Sequence, residues 1–417
     1  MTLVRRALDD IRANPFAHGA ILMLPLIQYG ANLFASVEML MCLAIVYYTR
    51  IRIVPLATAV SVIAISMSLL WAAMVLPEVP ILSRELRLGA DLVLMFWVIA
   101  GTPRHDVSRI NGNWALLMLV GLFLFAAVQN VAGRKGISLY MPKGLYVNKD
   151  DGMLAGAWVE HAHEHGYDFS IRPTAFYSEP SYLGGVSLLL NFICLYTLEG
   201  RRRMIASLAA IATCAAAQTF YGALANVAVT VAFHHRRIDK MVIISVALVA
   251  LSLFALPLFA AEPGRLENIL AGRDVSTGLR VTQPFELLGY VLAHDPFGIP
   301  QSLAKEFFEQ RGLIVRFEDV PFHNGALNLI FSYGWPGFVV VALLLITTGS
   351  PICALFLLLL MCQNGASLDY DKIFMLAFGI HIARGAMQRQ RELAASLRMP
   401  HFGGAQHGHE VEEPATV

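Results

Sequence analysis

The stretch Arg172–Gly185, RPTAFYSEPSYLGG, carries an arginine and a glutamate directly before an apolar run. A guanidinium binds anionic oxygens through two parallel hydrogen bonds, and a carboxylate can accept a proton. Charged loop residues at the edge of an apolar segment are typical of a site at a membrane surface. Glu179-Pro180-Ser181 is also an ordinary helix start, with proline early and an acid at the positive end of the helix dipole. Both interpretations of Glu179 remain open from the sequence.

A second group of candidates lies between Ser276 and Gly337. Arg280 stands at the start of a stretch with apolar residues at helical spacing, which predicts an amphipathic helix that ends at Asp295–Gly298 and lies on the membrane. His323 and Asn324 directly precede another apolar run. Asn324 is also a favourable helix N-cap. An isolated interfacial arginine is alternatively explained by pairing with lipid headgroups.

The composition predicts an integral membrane protein that crosses the bilayer many times. The 417 residues are 57% hydrophobic and only 15% charged, with a mean hydropathy of +0.59, which is too apolar for a globular core. The balance of 31 basic and 30 acidic residues argues against nucleic acid as a partner. The five cysteines fall within apolar segments and predict no disulfide framework.

A requirement of roughly 20 apolar residues per span gives about twelve transmembrane helices. The first two share Phe16–Tyr48, the seventh and eighth share Met204–Phe233, and the tenth runs from Ala326 to about Thr347. The others are expected at about Ile53–Leu76, Leu88–Gly101, Trp114–Val131, Tyr182–Leu198, Met241–Ala260, Ile352–Cys362 and Ile373–Ala383.

The short loops predict the orientation, because lysine and arginine favour the cytoplasmic side. If the N-terminus is cytoplasmic, alternation places every short basic loop on that same side; these loops carry Arg50, Arg52, Arg104, Arg109, Arg201–Arg203, Arg236, Arg237, Lys240 and Arg384. Both large loops then lie outside. The expected organisation is 1–132 transmembrane, 133–181 first large periplasmic loop, 182–260 transmembrane, 261–324 second large periplasmic loop, 325–386 transmembrane, and 387–417 a disordered cytoplasmic tail.

Other titratable residues have plainer explanations. The run EHAHEH, Glu160–His165, has histidines two residues apart, which matches no helical metal motif, so a solvated loop is favoured over a metal site. Glu38, Asp91 and His381 lie in or near spans and fit either helix-packing hydrogen bonds or part of a transport path.

Three features together resemble the bacterial O-antigen polymerase and O-antigen ligase superfamily, the Wzy-type and WaaL-type enzymes. They are the span count with its two large loops, Arg172 before Phe-x-x-Glu-Pro-Ser, and Arg280 followed by Pro-x-Gly and by His323-Asn324. The resemblance implies an all-α, GT-C-like membrane glycosyltransferase of the bacterial inner membrane. Its donor would be an undecaprenyl-pyrophosphate-linked glycan, and a chain-length regulator and a flippase of the same pathway would be its partners. It implies roles for Arg172, Arg280 and His323.

The residue types fit this chemistry. Departure of a lipid pyrophosphate from a sugar builds negative charge, which arginine stabilises better than lysine, so Arg172 and Arg280 are the expected clamp. Glu179 or His323 would take the proton of the attacking hydroxyl. Tyr177 and Asn324 are expected to contact substrate. Because arginine can offset phosphate charge, neither a metal nor a cofactor is expected.

A polymerase is favoured over a ligase on the form of the Phe-x-x-Glu-Pro-Ser segment. Two other classes remain alternatives. A glycan or ion transporter would place ionisable groups and broken helices near the bilayer midplane. A structural assembly subunit would leave Arg172, Glu179, Arg280 and His323 without a role.

Overall fold

The computed structural model describes residues 2–75, 83–104, 109–133, 135, 137, 139, 141, 145–146, 173–234, 283–300, 303–312, 324–363 and 368–396. Several predicted features lie outside these ranges: the ninth span, most of both large loops, the run Glu160–His165, and the candidates Arg172, Arg280 and His323.

The described residues are mainly helical. The helices are α1 (Thr2–Ala13), α2 (Pro15–Met23), α3 (Val37–Tyr48), α4 (Pro55–Val75), α5 (Ser83–Ala100), α6 (Gly112–Gly133), α7 (Pro180–Thr197), α8 (Gly200–Ala216), α9 (Phe220–His234), α10 (Gln283–His294), α11 (Ala304–Gln310), α12 (Gly325–Tyr333), α13 (Trp335–Thr347), α14 (Pro351–Met361) and α15 (Tyr370–Ser396). The strands are β1 (Gly30–Asn32), β2 (Ala35–Ser36), β3 (Thr49–Arg50) and β4 (Thr102–Pro103). The antiparallel pairs are β1 with β2 and β3 with β4.

Three of these helices, α4, α6 and α7, are long and apolar enough to cross a membrane. Shorter apolar helices accompany them at Pro15–Leu26, Val37–Tyr48, Phe220–His234, Trp335–Thr347 and Pro351–Met361. The fold is therefore that of a helical membrane protein. The count of twelve spans stays a prediction.

Helix α7 lies at the centre of the bundle. Of its span window, 89% is buried, against 22% for α4 and 28% for α6. The first half of α15, Tyr370–Ala383, is buried as well and packs against α7 and α3. Apolar side chains on α4 and α6 point outward, as a lipid-facing surface requires. The residues that follow Glu179 thus run into the interior of the protein.

The predicted tenth span is not one continuous helix. It divides into α12 and α13 at Gly334, whose φ of 62° and ψ of −138° suit glycine. A turn at Asp295–Gly298 fills the break, since Trp335 N donates to the Pro296 carbonyl at 2.9 Å and Ile299 N donates to the Phe331 carbonyl at 3.0 Å. The sequence predicted a span from Ala326 to about Thr347 without this break, because a hydropathy average does not register a Gly-Trp-Pro sequence.

The amphipathic stretch forms α10, described from Gln283, and it ends before Asp295 as predicted. Leu288 and Val291 are buried against the neighbouring apolar cluster, while Phe285 is 59% exposed. Arg280, expected at the start of this helix, precedes the described residues. Whether α10 lies along the membrane surface stays a prediction.

The last helix extends beyond the end that the sequence predicted for it. Helix α15 continues to Ser396, ten residues into the segment 387–417 that we expected to be a disordered tail. The residues of this extension are mostly exposed, and many are polar, so hydropathy alone predicts that the span ends before them. Residues 397–417 lie outside the described part of the chain.

Candidate active site

The loop that leads to Glu179 is fixed by Gln129 of α6. The Gln129 side-chain oxygen accepts hydrogen bonds from the backbone N–H groups of Thr174 at 3.1 Å and Ala175 at 2.8 Å. Its side-chain nitrogen donates to the Ala175 and Leu139 carbonyls, each at 3.0 Å. Gln129 is buried, so these bonds form away from water. One amide thereby holds Ala175 in its left-handed conformation, with φ at 52°.

The segment before β1 holds the same loop from another side. The Gln28 side-chain oxygen accepts from the Ser178 N–H at 2.9 Å and from its hydroxyl at 3.2 Å. The phenols of Tyr29 and Tyr146 both donate to the Phe176 carbonyl, at 2.8 and 3.2 Å. Burial raises the pKa of both phenols, so they remain donors. The backbone from Thr174 to Ser178, which directly precedes Glu179 and α7, is therefore held rigidly by these hydrogen bonds.

Tyr177 lies inside the bundle. It is 1% exposed, and its hydroxyl donates to the Leu24 carbonyl at 3.3 Å. Its ring packs against Tyr182 with 5.3 Å between ring centroids. This placement gives Tyr177 a packing role, and a direct contact with substrate would require the ring to move.

Glu179 occupies the N-cap position of α7, with Pro180 in the first turn. Its backbone is extended, but within the described structure its carboxylate makes no capping hydrogen bond to the helix. The carboxylate instead accepts from the Ser181 hydroxyl at 2.7 Å and remains partly exposed. Glu179 therefore has the position of a helix cap while its carboxylate is left available to a ligand.

Behind Glu179, three buried side chains join α7 to α15. The Tyr182 phenol donates a hydrogen bond to Asp371 Oδ2. The Lys372 ammonium lies 3.8 Å from the same oxygen and 4.7 Å from the centroid of the Tyr182 ring. Glu38 on α3 is within electrostatic reach of Asp371 and Lys372. The four residues are each less than 10% exposed, so charged groups meet in the interior close to the start of α7.

Asn324 approaches this region from α12. Its side-chain oxygen caps α12 by accepting from the Leu327 N–H at 3.2 Å, which confirms the capping alternative. The side chain is also within electrostatic reach of the Cys362 thiol, which directly follows α14. The next residue, Gln363, packs its side-chain amide against Gly184 of α7 and Gly222 of α9. Asn324 is thus linked to the first part of α7 through the two residues that follow α14, Cys362 and Gln363.

The chain matches the family model of the WcaD colanic acid polymerase over residues 21–356. The chain belongs to the WcaD colanic acid polymerase family. The match covers more than half of the sequence, from α2 into α14, and includes Glu179 and Asn324. No curated protein matches the chain. Membership confirms the resemblance to Wzy-type polymerases and makes the protein a polysaccharide polymerase, a glycosyltransferase that extends a glycan.

Membership in the WcaD family also favours the polymerase interpretation over the ligase and transporter alternatives. The matched region ends before Gln363, Asp371 and Lys372. These three residues were missed by the sequence reasoning. Their signal was present: Asp371 and Lys372 directly precede an apolar run, but we treated them as the flank of a span rather than as part of its interior.

The structure places the described candidates on one side of the bundle. Glu179 begins α7 and Asn324 begins α12, and both helices point into the protein from that side. His323 directly precedes Asn324 and Arg172 directly precedes Pro173, so their neighbours are placed although they themselves lie outside the described residues. The roles of Arg172, Glu179, Arg280, His323, Tyr177 and Asn324 in catalysis or binding stay predictions.

A cavity of about 490 Å³ lies at the opposite end of α7 and is lined by Asn113, Thr197 and Arg202, among others. The 18 residues of α7 separate it from Glu179 by about 27 Å, at 1.5 Å per helical residue. It is therefore distinct from the candidate active site.

Proposed function

We propose that the protein polymerises undecaprenyl-pyrophosphate-linked oligosaccharide repeat units at the periplasmic face of the bacterial inner membrane. One observation carries the proposal: a rigid loop holds the Glu179 carboxylate, uncapped within the described structure, at the N-terminal end of the central helix. A carboxylate in that position can accept a proton from a sugar hydroxyl. Arg172 stands seven residues earlier on the same segment.

The proposed reaction transfers a glycan from its lipid carrier to a sugar hydroxyl. The acceptor oxygen forms a bond to C1 of the donor sugar with inversion, and the bond from C1 to the pyrophosphate oxygen breaks. Undecaprenyl pyrophosphate leaves with the electron pair of that bond on its terminal oxygen, and the hydroxyl proton passes to Glu179 or His323. Arg172 and Arg280 would stabilise the charge that develops on the leaving group. Asn324 would help to position substrate beside His323.

Contacts at the other end of the bundle support the proposed orientation. Pairing of β3 with β4 joins the C-terminal ends of α3 and α5. The Arg384 guanidinium donates to the carbonyls of Ile99, Thr347 and Thr348, the last at 2.9 Å, which adds the end of α13. The basic residues Arg50, Arg104 and Arg203 lie beside helix ends that alternation assigns to the cytoplasm, and Arg384, within α15, contacts the same side. We propose that both termini are cytoplasmic and both large loops periplasmic.

The direct test is elongation by the purified protein. We expect the full chain in detergent to convert undecaprenyl-pyrophosphate-linked repeat units into longer glycans on the same lipid, resolved by gel electrophoresis. A deletion strain should carry single repeat units on the normal acceptor. Long glycans stranded on undecaprenyl pyrophosphate in that strain would instead identify a ligase. Repeat units confined to the cytoplasmic leaflet would identify a transporter.

A further inference from the structure

Two buried polar side chains near the start of α7 have hydrogen-bonding capacity that the described residues do not use. Gln363 is 1% exposed, and in the described part of the chain neither its side-chain oxygen nor its nitrogen has a hydrogen-bond partner. Lys372 is 2% exposed, and its ammonium makes no hydrogen bond within the same residues. Buried polar groups without partners are unfavourable, and native proteins contain few of them. Lys372 has Asp371 as an ion-pair partner, so what it leaves unused is its N–H donors, whereas both polar atoms of the Gln363 amide are unused. Unused hydrogen-bonding groups on two neighbouring buried side chains indicate a ligand.

The two groups converge on the same face of α7. A Cβ placed on Gly185 would lie 3.8 Å from the Gln363 oxygen and 3.9 Å from the Lys372 nitrogen. A Cβ on Gly184 would overlap the Gln363 nitrogen. The absence of a side chain at Gly184 therefore lets the Gln363 amide lie against the α7 backbone, and near Gly185 its oxygen and the Lys372 ammonium come to the same place. This face begins about one helical turn beyond Glu179.

The chemistry of the lining favours hydroxyl groups over a phosphate. Gln363 offers a donor and an acceptor, whereas phosphate oxygens only accept hydrogen bonds at neutral pH and would leave the Gln363 oxygen unpaired. The Asp371 carboxylate lies 3.8 Å from the Lys372 ammonium and would repel an anion. A sugar hydroxyl both donates and accepts, so it can satisfy the amide and the ammonium together.

We infer that Gln363 and Lys372 bind the hydroxyl edge of one sugar of the glycan substrate, beside Gly185 of α7. The inference rests on the proposed function, because that sugar belongs to the lipid-linked repeat unit. Gln363 and Lys372 are binding residues that place this sugar one turn beneath Glu179. The pyrophosphate remains with the loop arginines, so sugar and phosphate are recognised by different groups.

The central experiment uses Gln363→Leu in the full chain, purified in detergent. The probes are the lipid-free repeat-unit oligosaccharide and, separately, undecaprenyl pyrophosphate without sugar, with binding measured by calorimetry. We expect affinity for the oligosaccharide to fall about tenfold or more, as loss of one good hydrogen bond implies, while affinity for undecaprenyl pyrophosphate is unchanged. In elongation assays KM should rise and kcat should change less.

A matched control separates binding from folding. Gln129 is also buried, but its amide makes four hydrogen bonds within the protein. Gln129→Leu should lower the thermal unfolding temperature of the free protein. Gln363→Leu should leave that temperature unchanged or raise it, because its amide has no structural bond to lose among the described residues. Lys372→Met should weaken oligosaccharide binding in the same way.

Two results would overturn the inference: wild-type oligosaccharide affinity in Gln363→Leu, or a loss of stability in that variant as large as in Gln129→Leu. Either would make the amide structural or solvated rather than ligand-binding. Failure of the wild-type chain to elongate lipid-linked units would count against the proposed function alone. The oligosaccharide comparison would still decide the inference, since it needs no turnover.

Discussion

The Tyr182 phenol donates a hydrogen bond to the Asp371 carboxylate, which joins α7 to α15 across 189 positions of sequence. Lys372 contributes its ammonium to the same oxygen at 3.8 Å. Tyr182 stands three residues after Glu179, so this contact fixes the first turn of α7 from the inside, while Gln28 and Gln129 fix the preceding loop. The candidate carboxylate is thus held by contacts on both sides of it in sequence.

Replacement of Tyr182 by phenylalanine should destabilise the protein. The variant keeps the ring but leaves the buried Asp371 carboxylate without its phenol donor, at an expected cost of about 1–3 kcal/mol. Thermal unfolding in detergent, followed by size-exclusion chromatography, measures this loss. Tyr196→Phe is the control, because among the described residues the Tyr196 hydroxyl makes only a weak contact, with the Met387 sulfur at 4.0 Å. Equal unfolding temperatures for the two variants would contradict a structural role for the Tyr182 phenol.

Replacement of Glu179 by glutamine should abolish most polymer formation while the protein accumulates normally. Glutamine keeps the shape and the bond from Ser181 but cannot accept a proton at neutral pH, and loss of a general base costs about 100-fold or more. Glycan chain length in a complemented deletion strain is the measurement. Ser181→Ala, which removes only the neighbouring hydroxyl, should retain most activity. Full-length polymer from the glutamine variant would limit Glu179 to its interaction with the helix dipole.

Replacement of Arg172 or Arg280 by lysine should abolish most polymer formation, although the positive charge is kept. An ammonium cannot reproduce the two parallel hydrogen bonds that a guanidinium makes to a pyrophosphate. Initial rates of elongation with purified variants provide the measurement. Arg202→Lys is the control, since Arg202 lies at the opposite end of α7 and bonds Asn113. Wild-type rates from Arg280→Lys would remove Arg280 from the proposed clamp.

Gly334→Ala should destabilise the junction between the second large loop and the bundle. A side chain there is strained by the backbone at about 1–3 kcal/mol, and its Cβ would also overlap the Pro296 carbonyl. The expected result is a lower unfolding temperature and weaker accumulation in the membrane. A Cβ at Gly289 of α10 would meet no atom within 4 Å in the described part of the chain, so Gly289→Ala should be neutral or slightly stabilising. A fully stable Gly334→Ala protein would mean that the helix break is not required.

Hydropathy predicted the well-separated helices because each is a long apolar run between polar turns. The expected spans Trp114–Val131 and Tyr182–Leu198 correspond to α6 and α7, and the two spans expected within Met204–Phe233 correspond to α8 and α9. The break at Gly334 could not be predicted in this way. It depends on a tertiary contact with Pro296, whose position in the fold no local pattern specifies.

The sequence predicted residues of the candidate site only where a chemically suitable side chain lies at the start of a helix. Glu179 and Asn324 were found because each precedes an apolar run, and the structure places both at helix N-termini. Tyr177 was predicted to contact substrate, and the sequence does not indicate that its ring is buried in the bundle. Gln363 and Lys372 are candidates because they are buried and have hydrogen-bonding groups that the described residues do not use. Both properties depend on packing, which the sequence does not specify.

The contact between α7 and α15 also sets the order in which the protein can be assembled. Asn191 of α7 bonds Ser207 and Asn226, partners that are translated within 35 residues of it. Tyr182 must wait for Asp371, 189 residues later, which at ribosomal speeds is about 10 to 40 s. During that interval the C-terminal part of α7 already has its polar partners. Its N-terminal turn, which carries the candidate active site, is completed only when α15 is inserted.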